Sequence, residues 1–213
     1  MTFSIPSPTP DAPFIVETPG PEVWYHIYCT ETYPTKAATF DEGWGQTRFA
    51  LIQNAAGTQV HAYYAASTIR CAMMESILHD VSLAMPHPFR MGRLHHFHLA
   101  TIKLTAPLPA VSFHTPFLEA LKLSRTQLIE SLPAYYDQTS RWSEAAYAQV
   151  SNAAAIMYGS RRDDAGTCIM LFKDRLPNPA QPFQVIRDEP LASTTLSRQF
   201  IEPLNQLRIP QSP

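Results

Sequence analysis

The placement of the prolines is the feature that most limits what this chain can fold into. Twenty of the 213 residues are proline, about twice the usual share of roughly 5%. Six lie between Pro6 and Pro21 and seven between Pro177 and Pro213. Because proline removes a backbone donor and breaks helices, residues 1–22 are expected to form an extended arm. Residues 175–213 are expected to form a C-terminal extension that packs on, or completes, a single domain over residues 23–174.

Charge and composition exclude several classes of protein. The net charge is -2 and the isoelectric point is about 6.4, which argues against direct binding of nucleic acid, since such domains usually carry a basic face. No apolar run is long enough to span a membrane. The three cysteines, Cys29, Cys71 and Cys168, form no CxxC pair, and the N-terminus lacks the basic and apolar regions of a secretory leader. The expectation is a cytoplasmic protein without disulfides or a structural zinc.

Hydrophobic patterns predict strands on both sides of a helical middle. Strands are predicted over residues 23–31, 59–66, 96–104, 155–158 and 167–172. Helices are predicted over residues 68–80, 116–122, 125–131 and 138–153, with Ser67, Ser124 and either Thr139 or Ser140 as N-caps. This order indicates an α+β domain rather than a regular alternation of strands and helices.

Two segments carry polar residues that are candidates for chemistry. In the predicted helix over residues 68–80, Glu75 lies just outside the apolar face, with His79 one turn later on the same flank. Glu75 is either a solvated flank residue or a carboxylate at the rim of a cleft, where it would stabilise a developing positive charge. After the strand at 155–158, Ser160 and Arg161 begin a polar turn. Such turns often contact ligands, although a solvated hairpin is the alternative.

Aromatic and histidine runs give further candidates. Tyr63 and Tyr64 are successive strand residues, so only one of them can face a given pocket. There its ring could stack on a flat cationic heterocycle such as nicotinamide, while packing in the core is the commoner role. His96 and His98 share a strand face, but no cysteine or acidic residue completes a ligand set, so no metal is expected.

Standard nucleotide-binding and hydrolytic motifs are missing. Gly43 and Gly45 begin a GxGxxG pattern, but Arg48 occupies the position of its third glycine. The chain contains no phosphate-binding loop, no GxSxG elbow and no HExxH helix. Any nucleotide must therefore be held by side chains.

Three segments, taken in order, resemble the RES-domain family. They are GQTRFALI, HAYYAASTIRCAMMESILHDV and AIMYGSRRDDAGTCIMLF. The family is named for an Arg, a Glu and a Ser, and the matching positions here are Arg48, Glu75 and Ser160. Tyr64, placed before the helix, also matches. The resemblance covers residues 23–174.

The resemblance implies both a fold and a function. RES proteins are similar to ADP-ribosyltransferases, with a mixed sheet core flanked by helices. They are typically bacterial toxins of toxin–antitoxin pairs that act on NAD as a substrate. They degrade it by hydrolysis or phosphorolysis of the nicotinamide–ribose bond, or transfer its ADP-ribose to a protein. The implied partner is an Xre-like antitoxin that blocks the cleft.

The resemblance also implies roles for individual residues. Glu75 would stabilise the oxocarbenium-like state at the ribose, and Arg48 would hold the pyrophosphate. Tyr64 would stack on nicotinamide, and Ser160 would position the nicotinamide ribose. Where the family often has an arginine in the first strand, this chain has His26, for which Arg161 could substitute.

Two other functions stay open at this point. One is an ADP-ribosyltransferase that modifies a bacterial protein, since the acceptor depends on access to the cleft. The other is an inactive binding module derived from an NAD site, which the replacement at His26 favours and the retention of Arg48, Tyr64, Glu75 and Ser160 opposes. Exposed apolar surface on the middle helices would suit either a homodimer or an antitoxin interface.

Overall fold

The computed structural model describes residues 4–19, 22–32, 35–45 and 47–213. Residues 1–3 and 20–21 of the predicted arm, and Gln46 of the first family segment, lie outside these ranges. The strands in the described ranges are β1 (Val16–Glu17), β2 (Val23–Cys29), β3 (Ile52–Gln53), β4 (Gln59–Val60), β5 (Ala62–Ala66), β6 (Phe89–Arg90), β7 (Phe97–Leu104), β8 (Ala110–Phe113), β9 (Ala155–Gly159), β10 (Thr167–Phe172), β11 (Phe183–Pro190) and β12 (Gln211–Ser212). The α-helices are α1 (Ile69–Glu75), α2 (Thr115–Ala120), α3 (Arg125–Leu128), α4 (Tyr136–Gln149) and α5 (Thr194–Gln206). Short 3-10 helices occur at Met91–His96, Pro133–Tyr135 and Lys173–Arg175.

Eight of these strands form one mixed sheet in the order β1-β8-β9-β10-β5-β2-β7-β11. The β8–β9 pair is parallel, and the other neighbouring pairs are antiparallel. Two small sheets pair β3 with β4 and β6 with β12. The predicted α+β class, a mixed sheet core flanked by helices, is therefore confirmed.

The sheet buries a different hydrophobic core on each face. In β10, Cys168, Met170 and Phe172 belong to the core beneath the helices, whereas Ile169 and Leu171 belong to the core on the other face. This alternation follows from the two-residue period of a strand, and it holds in β5, β9 and β2 as well. Both faces are buried, so β9 and β10 consist almost entirely of apolar residues.

Helix α1 is shorter than predicted, and this places Glu75 at its end. Its N-cap is Thr68, whose hydroxyl accepts a hydrogen bond from Cys71 N at 3.0 Å. The prediction of Ser67 as the cap is wrong, because both the backbone N–H and the hydroxyl of Ser67 bond to the backbone of Thr167 and continue the pairing of β5 with β10. At Ser76 the backbone leaves the helical region, so Glu75 is the last helical residue.

Helix α4 begins at Tyr136, which makes the caps predicted for it wrong as well. Thr139 and Ser140 lie inside the helix. The Thr139 hydroxyl instead donates to the carbonyl of Arg48 at 2.6 Å and ties that segment to the helix. The cap predicted at Ser124 is confirmed, since it forms a capping box at the start of α3. None of the helices in the described residues is long and apolar enough to cross a membrane.

The proline-rich N-terminal residues that the structure describes run along the domain surface. Ile5 is buried, and the indole N–H of Trp142 donates to the carbonyl of Pro6 at 2.8 Å. Further along, β1 pairs with β8 at one edge of the main sheet. Proline lacks a backbone N–H but keeps its carbonyl. An extended, proline-rich segment can therefore accept hydrogen bonds from the domain although it has few N–H groups to donate.

The C-terminal residues add elements at the other end of the sheet. Strand β11 pairs with β7 as the outermost strand, and its register shifts between Val185 and Arg187. Helix α5 buries Leu196, Phe200 and Leu204 against the core beneath the helices. Strand β12 then pairs in parallel with β6. Burial of this apolar stripe stabilises the extension on the domain.

Candidate active site

A cavity of about 410 Å³ opens on the helical face of the sheet. Its walls come from the middle of β2 and β5, the loop before β3, the end of α1, the start of α4, and β9 and β10. Arg48, Tyr64 and Glu75 all line it. Three of the residues singled out from the sequence are thus brought together from separate segments of the chain.

Glu75 is held in a fixed orientation by the turn between β9 and β10. Its Oε1 accepts a hydrogen bond from the Ser160 hydroxyl at 2.6 Å and another from the backbone N–H of Arg162 at 3.1 Å. The Ser160 oxygen in turn accepts from the N–H groups of Arg162 and Asp163, at 3.0 and 2.8 Å. Ser160 is fully buried and does not line the cavity. Its one hydroxyl proton is therefore committed to Glu75.

Gly166 allows this turn to approach α1 so closely. A Cβ at that position would lie 2.4 Å from the Cys71 sulfur, which no side chain could tolerate without a shift in the structure. The turn closes through hydrogen bonds from Gly166 N to the Asp163 carbonyl and from Ser160 N to the Gly166 carbonyl. The glycine therefore sets the distance between Ser160 and the helix that carries Glu75.

Arg162 clamps the segment that follows Glu75. Its guanidinium donates to the carbonyl of Val81 at 3.0 Å and to the carbonyl of His79. Burial lowers the pKa of this guanidinium, as desolvation disfavours the charged form. Arg161, the residue named from the sequence, is half-exposed and does not line the cavity. The arginine that contacts this segment is therefore Arg162.

Arg48 brings a buried positive charge to the cavity. Only 6% of the residue is exposed, and its Nε and Nη2 atoms have no hydrogen-bond partner within the described residues. The guanidinium carbon lies 5.6 Å from the centre of the Tyr136 ring, and no carboxylate in the described ranges forms an ion pair with it. A buried cation without a partner is costly to the fold, so this group is available to bind an anion.

Tyr64 presents its ring to the cavity, and Tyr63 points to the opposite face. The Tyr64 hydroxyl forms a 2.7 Å hydrogen bond with the Thr47 hydroxyl, which fixes the ring. Burial raises the pKa of Tyr64, so the phenol stays protonated. Tyr63 instead donates to the carbonyl of Ala37 at 2.7 Å, within the core of the other face.

His26 borders the cavity, but its ring belongs to the other face of the sheet. The ring centre lies 4.4 Å from that of Tyr63 and 5.8 Å from that of Tyr28. Its Nδ1 is 2.7 Å from the carbonyl oxygen of Tyr64, where only a donated N–H can form the bond. Burial lowers the pKa of His26 to about 4. At neutral pH this imidazole supplies no positive charge in place of an arginine.

Several cavity residues were missed by reasoning from the sequence. Trp44, Tyr136 and Tyr158 all line the cavity. Tyr158 could have been identified from the sequence, because it lies two residues before Ser160 and its side chain therefore points to the same side of the strand. His79, placed by the sequence on the same flank as Glu75, pairs its Nδ1 with Asp80 at 2.7 Å.

No set of three or more His, Cys, Asp or Glu residues in the described ranges is arranged to hold a metal ion. The charged groups that line the cavity are the carboxylates of Asp41, Glu75 and Asp80 and the guanidinium of Arg48, and tyrosine side chains lie beside them. They suit an organic ligand that carries both positive and negative charge.

A mixed sheet with such a cavity on its helical face defines an α+β domain whose cavity is lined by charged and aromatic side chains. The chain belongs to the RES domain family, since the model of that family matches residues 23–193. The resemblance stated from the three sequence segments is thereby confirmed. The match extends beyond residue 174 and takes in β11.

A solved structure shares this fold. A chain of the crystal structure of the M. tuberculosis MbcT–MbcA toxin–antitoxin complex matches with a TM-score of 0.61 and 15% sequence identity, over 88% of this chain and 92% of that one. At this identity the similarity concerns the fold alone. No curated protein sequence matches the chain.

Proposed function

We propose that this protein is an NAD-degrading toxin that cleaves the nicotinamide–ribose bond by hydrolysis or phosphorolysis. The observation that carries the proposal is the presence, in one cavity, of the fixed Glu75 carboxylate and the buried Arg48 guanidinium, which forms no ion pair with the part of the chain that the structure describes. NAD has a cationic nicotinamide ring and an anionic pyrophosphate, so it needs both charges. Membership in the RES domain family supports the same substrate.

The reaction breaks the bond between the anomeric carbon and the nicotinamide nitrogen, through a state with positive charge on the ribose. Nicotinamide is cationic in the substrate, so it leaves as a neutral molecule with the bonding electrons and needs no general acid. Glu75 is the catalytic residue in this proposal, and its carboxylate stabilises the developing charge. Water or phosphate then donates electrons to the anomeric carbon and loses a proton.

The other side chains bind or orient. Arg48 binds the pyrophosphate oxygens, and Tyr64 stacks on the nicotinamide ring. Ser160 is a positioning residue that acts through Glu75, because its hydroxyl is fully buried and bonded to that carboxylate. We therefore assign it no direct contact with the ribose. Neither Arg161 nor His26 has a binding role in this proposal.

The partner in this proposal is a cognate antitoxin of the Xre-like type, which keeps the protein inactive by covering the cavity. The structural match to a chain from a toxin–antitoxin complex supports this part. In bacteria, expression without the antitoxin should stop growth and drain cellular NAD. Co-expression of the antitoxin should restore both.

The decisive experiment follows NAD and its products by NMR with purified protein, with and without phosphate. Free ADP-ribose as the product indicates hydrolysis, and ADP-ribose 1″-phosphate indicates phosphorolysis. Loss of NAD only when a protein acceptor is present would replace the proposal with ADP-ribosyl transfer. Stable NAD under all these conditions would contradict an enzymatic role and favour a binding module.

A further inference from the structure

A second cavity of about 380 Å³ lies beside the first. Asp80 lines both, so the turn that follows α1 forms a shared wall. Arg162 pins this wall through its hydrogen bonds to the carbonyls of His79 and Val81. The position of the second cavity is thereby linked to the same turn that orients Glu75.

The second cavity is predominantly basic. His87, Arg90 and Arg93 line it, and among the residues that the structure describes Asp80 is the only acidic one in its lining. Neither arginine forms an ion pair with any residue that the structure describes. In the first cavity, by contrast, Glu75, Asp41 and Asp80 accompany Arg48. The two cavities therefore differ in the sign of the charge they favour.

The floor of the second cavity is packed by the C-terminal extension. Phe89 is buried, and its ring centre lies 5.0 Å from that of Phe200 in α5. Its backbone N–H donates to the carbonyl of Pro210 at 2.7 Å, next to the pairing of β6 with β12. The Arg93 guanidinium lies 5.7 Å from the centre of the Phe89 ring. The arginines beside this buried ring suit a phosphate group, because a guanidinium presents paired donors that match phosphate oxygens.

We propose that the second cavity binds the adenylate half of the dinucleotide, with Arg90 and Arg93 on its phosphate. This inference rests on the proposed function. The cationic nicotinamide end occupies the first cavity beside Glu75, and Arg48 holds the phosphate nearest the bond that breaks. The dinucleotide then passes from one cavity to the other beside Asp80. The opposite charges of the two cavities determine which end of the dinucleotide enters which cavity.

The first arm of the test measures binding and needs no catalysis. AMP and inorganic phosphate are titrated separately into the wild type and the double variant Arg90→Gln/Arg93→Gln. We expect AMP to bind the wild type more tightly than phosphate does, and the variant to bind AMP roughly tenfold or more weakly. The matched control, Arg198→Gln, removes an exposed cation that lines neither cavity, and it should bind AMP as the wild type does.

Equal AMP affinity in the wild type and the double variant, or no AMP binding by the wild type, would overturn the proposal. Inorganic phosphate that binds as tightly as AMP would overturn the assignment to the adenylate half. Weaker AMP binding in the variant would support the subsite even if the protein left NAD intact, so failure of the proposed function is detected separately.

The second arm compares the cleavage of NAD with that of nicotinamide mononucleotide, which lacks the adenylate half. In the double variant, kcat/KM for NAD should fall by at least tenfold more than kcat/KM for the mononucleotide. Equal changes for the two substrates would overturn the proposal, because loss of the subsite affects only the substrate that reaches it.

Discussion

The Ser160 hydroxyl donates a 2.6 Å hydrogen bond to the Glu75 carboxylate, although 85 residues separate the two in the chain. A turn between two antiparallel strands and the last turn of a short helix meet at this contact. The serine also accepts two backbone N–H groups, so its hydroxyl has one available direction. A carboxylate fixed in advance can stabilise positive charge without the cost of reorienting.

The first prediction concerns the carboxylate itself. Glu75→Gln keeps the shape of the side chain but removes its charge, so it should lower NAD turnover by roughly two or more orders of magnitude. The thermal midpoint should change little. The matched control is Glu119→Gln, at an exposed glutamate in α2 that does not line the cavity. If Glu75→Gln turned over NAD at the wild-type rate, Glu75 would not be the catalytic residue.

The second prediction separates a positioning role of Ser160 from a structural one. Ser160→Ala removes the donor to Glu75 and the acceptor of the Asp163 N–H, while the Arg162 N–H keeps its bond to Glu75. Unfolding in urea should therefore show a loss of about 1–3 kcal/mol. Below the unfolding transition, kcat should fall while KM for NAD stays close to the wild-type value. Ser197→Ala, in α5, is the control. A rise in KM with unchanged kcat would instead indicate direct contact between Ser160 and the substrate.

The third prediction concerns the unpaired charge of Arg48. Arg48→Met replaces a buried guanidinium by an apolar side chain, which should leave the free energy of unfolding unchanged or raise it. The same variant should bind ADP-ribose at least tenfold more weakly, since a charged hydrogen bond to phosphate is lost. Calorimetric titration and urea unfolding measure the two effects. A clear loss of stability without a loss of binding would mean that Arg48 serves the fold.

Arg48→Lys gives a stricter version of this test. Lysine keeps the charge but lacks the planar pair of donors that match a phosphate. We expect it to recover only a small part of the affinity for ADP-ribose. Full recovery would show that the charge alone is needed.

Five of the eight strands of the main sheet, namely β2, β5, β7, β9 and β10, could be predicted from the sequence, because strand patterns depend on local periodicity. Strands β1, β8 and β11 are absent from the prediction. The strands predicted over residues 23–31 and 167–172 correspond to β2 and β10. The limits of α1 and α4 could not be predicted, because they depend on hydroxyls that bond to distant backbone. The sequence predicts Thr139 as a cap, yet the partner of its hydroxyl is the carbonyl of Arg48 in another segment.

The site could be predicted only in part, for the same reason. Family resemblance selected Arg48, Tyr64 and Glu75, which line one cavity. It could not show that the His26 ring lies on the opposite face, or that Arg162 contacts the wall beside Glu75. It also could not show that Cys71 and Cys168, free thiols 97 residues apart, bring their sulfur atoms to 3.7 Å. These relationships arise from the pairing of β5 with β2 and β10, which no short motif encodes.

The last prediction follows from the half-buried imidazole of His26. Its pKa is about 4 in the folded protein, against about 6.5 in an unfolded chain. Between these values the unfolded chain binds more protons than the folded one, so stability falls as the pH is lowered from about 6.5 to about 4. His26 alone should account for a loss on the order of 2–3 kcal/mol over this window. Above about pH 6.5, His26 adds no pH dependence to the free energy of unfolding.

His26→Gln tests this assignment, because glutamine can still donate a hydrogen bond to the Tyr64 carbonyl but does not titrate. Urea unfolding at several values between pH 7 and pH 4 should give a shallower fall in the variant than in the wild type. His95→Gln, at an exposed histidine, should keep the wild-type slope. If stability fell with pH as steeply in His26→Gln as in the wild type, another group would be responsible for the loss. His114 would be the first group to examine, because burial lowers its pKa too.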